Sequence, residues 1–251
     1  MGLHHRGTPV TSGARRDSGF APIAVALDAP DESTFDEWVR AVSPSVRCLK
    51  VGLEVFCRQG PHALERAREL AASVGRHDIE VFCDLKLHDI PATVGKAATA
   101  LAPLAPSYLT VHAAGGPAMV AAAVEALPAT RVTAVTVLTS LDADQIHALG
   151  ITGSPEEIVL RWARSAIEAG ASALVCSPQE VSILRAHVPA DITLITPGVR
   201  PAASAVDDQR RTATPEQALA DGADLLVIGR PITGQDDPAA AARALATALL
   251  P

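Results

Sequence analysis

At 251 residues the chain has the length of one large domain or two small ones, and (β/α) barrels reach about 250 residues as a single domain. Hydrophobic residues make up 48% and charged residues 20%, enough apolar material for a sizeable core, which excludes a disordered chain. Lys and Arg number 21 against 28 Asp and Glu; the net charge of -7, with only 3% aromatics, excludes a broad surface for nucleic acid or anionic membrane.

Residues 1–20 are rich in Gly, Ser, Arg and Thr without periodicity and are expected to form a flexible tail. They lack the apolar stretch of a secretory signal, and their Arg and Ser content leaves an organellar transit peptide as the second reading. From residue 21 onward, short β-branched runs alternate with helical patterns. The expected strands are 23–27, 47–51, 79–85, 107–112, 131–138, 173–177, 192–196 and 224–229. Most are near-continuous apolar runs, which a parallel sheet covered by helices on its faces requires. Between them, Phe35, Trp38, Val39 and Val42 share one helical face, as do Val159, Trp162, Ala163, Ala166 and Ile167. Ser154-Pro155-Glu156-Glu157, Ser177-Pro178-Gln179-Glu180 and Thr214-Pro215-Glu216-Gln217 each combine a hydroxyl cap, a first-turn Pro and an acid or amide three residues on. Asp237-Pro238 opens the last helix in the same way, and Gly170 closes an earlier one. Eight strands, each followed by a helix, predict an α/β fold: a (β/α)8 TIM barrel in a single catalytic domain over residues 21–251, with an open doubly wound sheet as the alternative.

A barrel places its chemistry at the C-terminal ends of the strands. There the sequence offers Asp28, Lys50, the run Asp84-Leu85-Lys86-Leu87-His88-Asp89, His112, Thr139-Ser140, Pro197-Gly198-Val199-Arg200 and Gly229-Arg230. Asp84 and Lys86 are two apart, so a regular strand points both into the cavity, where Lys50 adds a second cation. Gly229-Arg230 before a helix fits a phosphate site, with Arg200 and Gln209 on the preceding loop closing over the same anion. Arg210 and Arg211 read equally well as solvated loop charges. Cys48, Cys57, Cys83 and Cys176 are scattered without a C-x-x-C pair, which argues against metal or disulfide use, and no apolar run approaches the roughly 18 residues of a membrane span.

Taken as a set, Asp28 in LDAP, Lys50 in LKVG, DLKLHDIPATV, TVHAAGG, VLTS, PGVRP followed by DQRR, and VIGRPIT resemble the bacterial form of orotidine 5′-phosphate decarboxylase over residues 21–250. The resemblance implies a cytoplasmic lyase of pyrimidine biosynthesis that converts orotidine 5′-monophosphate to uridine 5′-monophosphate and CO2 without metal or organic cofactor, as a homodimer, with no nucleic-acid or membrane partner. It implies that Lys86 protonates C6 of the pyrimidine, that Asp84 lies against the departing carboxylate, and that Lys50 joins the charge array and, with Asp28, contacts the ribose. Asp89 and Thr93 are implied to reach the partner's site across the dimer interface. Ser140 is implied to bind the pyrimidine edge, Pro197 to pack near the base, and Arg200, Gln209, Gly229 and Arg230 to hold the phosphate. Ala92 departs from the polar residue frequent in the family, and His88 and His112 fit its pattern without an assigned role. The competing resemblance is to the metal-dependent 3-keto-gulonate-phosphate decarboxylases and hexulose-phosphate synthases, for which Glu54 and Asp84 would have to converge on a cation. A silent barrel that binds a phosphorylated ligand is the third reading; it would lack the Lys and Asp array.

Overall fold

The computed structural model describes residues 19–200 and 213–250. Residues 1–18 of the expected tail, together with Gln209, Arg210 and Arg211, lie outside them. The described residues form eight parallel strands: β1 (Ala21–Ala26), β2 (Val46–Gly52), β3 (Glu80–Leu87), β4 (Tyr108–His112), β5 (Arg131–Val135), β6 (Ala173–Val175), β7 (Thr193–Thr196) and β8 (Leu225–Ile228). They close in sequence order, β1 pairing with β8 through Ile23 opposite Leu226, so the open doubly wound sheet does not apply. Around them run α1 (Glu32–Val42), α2 (Leu53–Gln59), α3 (His62–Ser73), α4 (Pro91–Leu101), α5 (Pro117–Ala126), α6 (Ala143–Ala148), α7 (Pro155–Glu168), α8 (Val181–His187), α9 (Pro215–Ala220), α10 (Arg230–Thr233) and α11 (Pro238–Leu249).

The apolar strands are buried on both faces, and period-two alternation sorts their side chains into two layers. Val25, Leu49, Val81, Leu109, Leu174, Leu194 and Leu226 point outward into one continuous core with Phe35 and Val39 of α1, Leu64 of α3, Val120 of α5, Ile158 of α7 and Leu184 of α8. Ala24, Cys48, Phe82, Tyr108, Ala173, Ile195 and Leu225 point inward as a separate layer, with the Phe82 and Tyr108 rings 5.5 Å apart and tilted by 57°. Below this layer Glu80 accepts from Arg131 at 3.0 Å and from the Tyr108 hydroxyl at 3.3 Å, and pairs with Arg47 at 3.5 Å. These groups stand at the starts of β2 to β5 and close the N-terminal end of the barrel, leaving the C-terminal end for a ligand.

The cap signals act as their chemistry requires. Ser154 and Glu157 form a reciprocal capping box at α7, Thr214 accepts from the Gln217 N–H at 3.2 Å, and Asp237 accepts from the Ala240 N–H at 2.9 Å. At Ser177 only half of a box is present, its N–H donating to Glu180 Oε2 at 2.9 Å, on a 3-10 turn ahead of α8. Strand lengths depart from expectation, most of all at the ends of β5 and β3. β5 stops at Val135 rather than 138 because its neighbour β6 stops at Val175, and beyond that point Thr136 reaches the Val175 carbonyl by both its N–H (3.2 Å) and its hydroxyl (3.0 Å). β3 instead runs two residues further than expected, to Leu87, which carries the densest charged run into the barrel mouth.

Candidate active site

A cavity of about 960 Å³ opens at the C-terminal end of the strands. Its floor is apolar, built from Phe82, Val135, Val175 and Val227, and its walls carry Asp28, Lys50, Asp84 and Lys86 on one side and Arg200, Gly229 and Arg230 on another. This is the combination expected of a small-molecule site: an apolar bed with a few convergent charges.

The charged side is one connected array. Asp84 Oδ1 lies 2.8 Å from Lys86 Nζ, Asp84 Oδ2 lies 3.2 Å from Lys50 Nζ, and Lys50 Nζ is 3.6 Å from Asp28 Oδ1. Lys50 and Asp84 are buried, whereas Lys86 is partly open to the cavity and Asp28 is exposed at its mouth. Gly52 makes room for this packing: a Cβ there would stand 2.7 Å from Asp28 Oδ1 and 3.0 Å from Lys50 Nζ. Regular alternation does not by itself bring Asp84 and Lys86 together. Between Cys83 and Leu87, β3 advances four residues while β4 advances two, from Leu109 to Val111, and Lys86 takes up the excess at φ +51°.

Burial by itself would raise the Asp84 carboxyl and lower the Lys50 ammonium. The two lysines, with hydrogen bonds from Lys86 and Thr110, outweigh burial and hold Asp84 below the ordinary carboxylate value. Asp84 and Asp28 likewise hold Lys50 above the ordinary lysine value. Because the folded-state value of Asp84 is depressed, its contribution to stability is complete above the unfolded value of about 3.9 and is lost as pH falls through the folded value. Asp84→Asn is expected to destabilise the protein by about 3 kcal/mol at neutral pH, the lower end for a broken buried pair because Asp28 stays with Lys50. Denaturant unfolding from pH 7 to 3 checks this: the gap from wild type shrinks below about pH 4, and a gap that widens on acidification contradicts the assignment.

After β7 and β8 the wall is built differently: Gly229 follows β8 and caps the short α10, whose first turn carries Arg230 and Pro231. A side chain at Gly229 would press on Ala26, 3.3 Å from where its Cβ would stand, so glycine lets β8 and α10 approach β1. Arg200 stands where the segment 201–212 begins, and its N–H donates to the Ala213 carbonyl at 3.0 Å, tying the two ends of that segment together at the cavity mouth. Pro197 also lines the cavity.

Three expected site residues stand elsewhere. Ser140 is exposed on the turn after β5, one residue past Thr139, which does line the cavity. Asp89 and Thr93 are exposed at the start of α4, outside the cavity of their own chain, and the Asp89 carboxylate accepts from the Ile90 N–H at 2.6 Å. The His88 and His112 rings lie 5.3 Å apart, and burial, then His88 and Lys86, push the His112 imidazole down. Glu54 is exposed on α2 and pairs with Arg58 at 3.4 Å, and among the described residues no cluster of three or more His, Cys, Asp or Glu is placed to hold a metal ion. The array holds one residue that was given no role, although it opens the TVHAAGG motif. Thr110 on β4 donates to Asp84 Oδ1 at 2.9 Å, and its signal was the period-two spacing that puts it on the inward face between Tyr108 and His112.

Known proteins resemble this chain over most of its length. An orotidine 5′-phosphate decarboxylase of Thermobifida fusca (strain YX) is 61% identical over 229 residues, 91% of this chain and 96% of its own. One of Frankia casuarinae is 54% identical over 242 residues, 92% and 88% of the two chains. The crystal structure of the orotidine 5′-phosphate decarboxylase of Lactobacillus acidophilus superposes with a TM-score of 0.77 at 33% identity, covering 92% of this chain and all of that one (100%). The sequence pattern of the orotidine 5′-phosphate decarboxylase / HUMPS family matches residues 21–245, and the chain belongs to that family.

Proposed function

We propose that the protein decarboxylates orotidine 5′-monophosphate to uridine 5′-monophosphate and CO2, with Lys86 as the proton donor. One observation carries the assignment of roles: a carboxylate fixed between two ammonium groups, Asp84 between Lys50 and Lys86, faces a cavity that Arg200 and Arg230 also line. When the bond from C6 to the carboxylate breaks, its electron pair stays on a carbon with no adjacent electron sink. A preorganised ammonium beside that carbon stabilises the charge as it develops and then delivers its proton to C6. Asp84 lies against the departing carboxylate and disfavours the bound ground state. Lys50 and Asp28 take the ribose and Pro197 packs near the base; for Ser140 to bind the pyrimidine edge, the exposed turn that carries it has to move toward the cavity that Thr139 lines. Each step is supplied by side chains, so the reaction calls for neither metal nor organic cofactor.

Arg200, Gln209, Gly229 and Arg230 take the phosphate. That group is remote from the reacting bond, yet its binding energy fixes the reacting geometry. Arg230→Ala is expected to lower kcat/KM about 10- to 100-fold, the loss of a charge-assisted hydrogen bond; an unchanged kcat/KM in steady-state assays would remove Arg230 from the site. Asp89 and Thr93 act in the site of a second copy in a homodimer. What supports this is their exposure next to Ile90, whose large apolar side chain is 65% exposed on the same segment. The enzyme acts in the cytoplasm on a small nucleotide, with neither nucleic acid nor membrane as partner; its four unpaired cysteines suit a reducing compartment. Product analysis tests the reaction: uridine 5′-monophosphate and CO2 appear in equal amounts from the purified protein, and an orotidine 5′-monophosphate pool that stays intact overturns it.

A further inference from the structure

Thr110 is fully buried on β4, directly behind Lys86 and Asp84. Its hydroxyl oxygen accepts from the Lys86 backbone N–H at 2.8 Å and donates its one proton to Asp84 Oδ1 at 2.9 Å. Asp84 Oδ1 is the same oxygen that the Lys86 ammonium contacts, so backbone N–H, threonine hydroxyl, carboxylate and ammonium form a closed ring. The ring sits where β3 carries two more residues than β4, and Lys86 is held there at φ +51°, a conformation that a lysine keeps only when its surroundings impose it. Thr110 supplies both restraints: an acceptor for the displaced N–H and a donor that aims the carboxylate.

We propose that Thr110 is a positioning residue for the decarboxylation: one hydroxyl ties the backbone of the proton donor to the carboxylate beside it, so that ammonium and carboxylate keep a single geometry while the bond to CO2 breaks. This rests on the roles assigned to Lys86 and Asp84. Thr110 touches no reacting atom and acts through those two groups. Valine has the same shape without the hydroxyl. It leaves the Lys86 N–H without its acceptor and Asp84 Oδ1 without one donor, which lets Lys86 relax from its left-handed conformation and the ammonium drift.

The test compares Thr110→Val and Thr110→Ser with wild type in the full chain, by kcat, KM for orotidine 5′-monophosphate, affinity for uridine 5′-monophosphate, and hydrogen exchange at the Lys86 amide. Thr110→Val is expected to lower kcat about 100-fold, the scale of an ångström-sized misplacement, and to speed exchange at Lys86. KM and product affinity are expected to stay within about threefold, because ribose and phosphate contacts are untouched. Thr110→Ser is expected to return kcat to within about threefold of wild type, since it restores the hydroxyl. If the valine variant does not fold, Thr110→Ala must give the same selective loss of kcat. Wild-type kcat in the valine variant, a serine variant as slow as the valine one, or an equal loss of product affinity overturns the proposal. Lys86→Ala separates the two roles: if that variant keeps turning over, the role of Lys86 fails, whereas an inactive Lys86→Ala beside a wild-type-like Thr110→Val defeats the role of Thr110 alone.

Discussion

Lys86→Ala is expected to lower kcat by about 10⁴-fold or more, because one group supplies both the proton and the charge that stabilises the carbanion. The fold is expected to survive. Lys86 is partly exposed, and without it Asp84 still has Lys50 at 3.2 Å and the Thr110 hydroxyl at 2.9 Å, so no buried charge is stranded. The variant should therefore melt near the wild-type temperature and still bind uridine 5′-monophosphate, which needs no proton. Single-turnover kinetics beside a thermal melt check both halves. A variant within about tenfold of wild type would move the proton donor elsewhere.

The second large effect concerns the assembly. Asp89→Ala and Lys86→Ala are each expected to be inactive as homodimers, since every site lacks one member of the array. Mixed and allowed to exchange, half the dimers are hybrids, and each hybrid has one site with Lys86 from one chain and Asp89 from the other. Activity should then recover to about a quarter of wild type, as expected for isologous twofold sites with random exchange. No recovery despite subunit exchange demonstrated by mass spectrometry would show that Asp89 serves its own chain or none.

The barrel was legible because parallel strands covered on both faces must be apolar throughout, so runs such as residues 23–27 and 192–196 declare themselves without alternation. The rim was legible for the complementary reason: Asp28, Lys50, Asp84 and Arg230 are charges placed where apolar runs end. The geometry joining Asp84 to Lys86 was not. A two-residue spacing predicts a shared face on a regular strand, whereas here the strand bulges, and the restraint that holds the bulge comes from Thr110, 24 residues further along the chain. A threonine inside a β-branched run reads locally as a strand former, and only the pairing of β3 with β4 reveals what its hydroxyl holds. The shortening of β5 has a similar cause, since it depends on where β6 ends. Ser140 shows the reverse case: its sequence position after an apolar run suggested a strand end, but that run ends early, and the residue stands on a turn beside the cavity.

On the proposed mechanism these side chains alone carry the decarboxylation. The direct measurement is the loss of the orotate ring's ultraviolet absorbance when orotidine 5′-monophosphate is added to purified protein dialysed against a metal chelator. Turnover is expected to be full in the chelator and unchanged when magnesium is added back. Turnover that vanishes in the chelator and returns with the metal would contradict the proposed mechanism and restore the metal-dependent alternative.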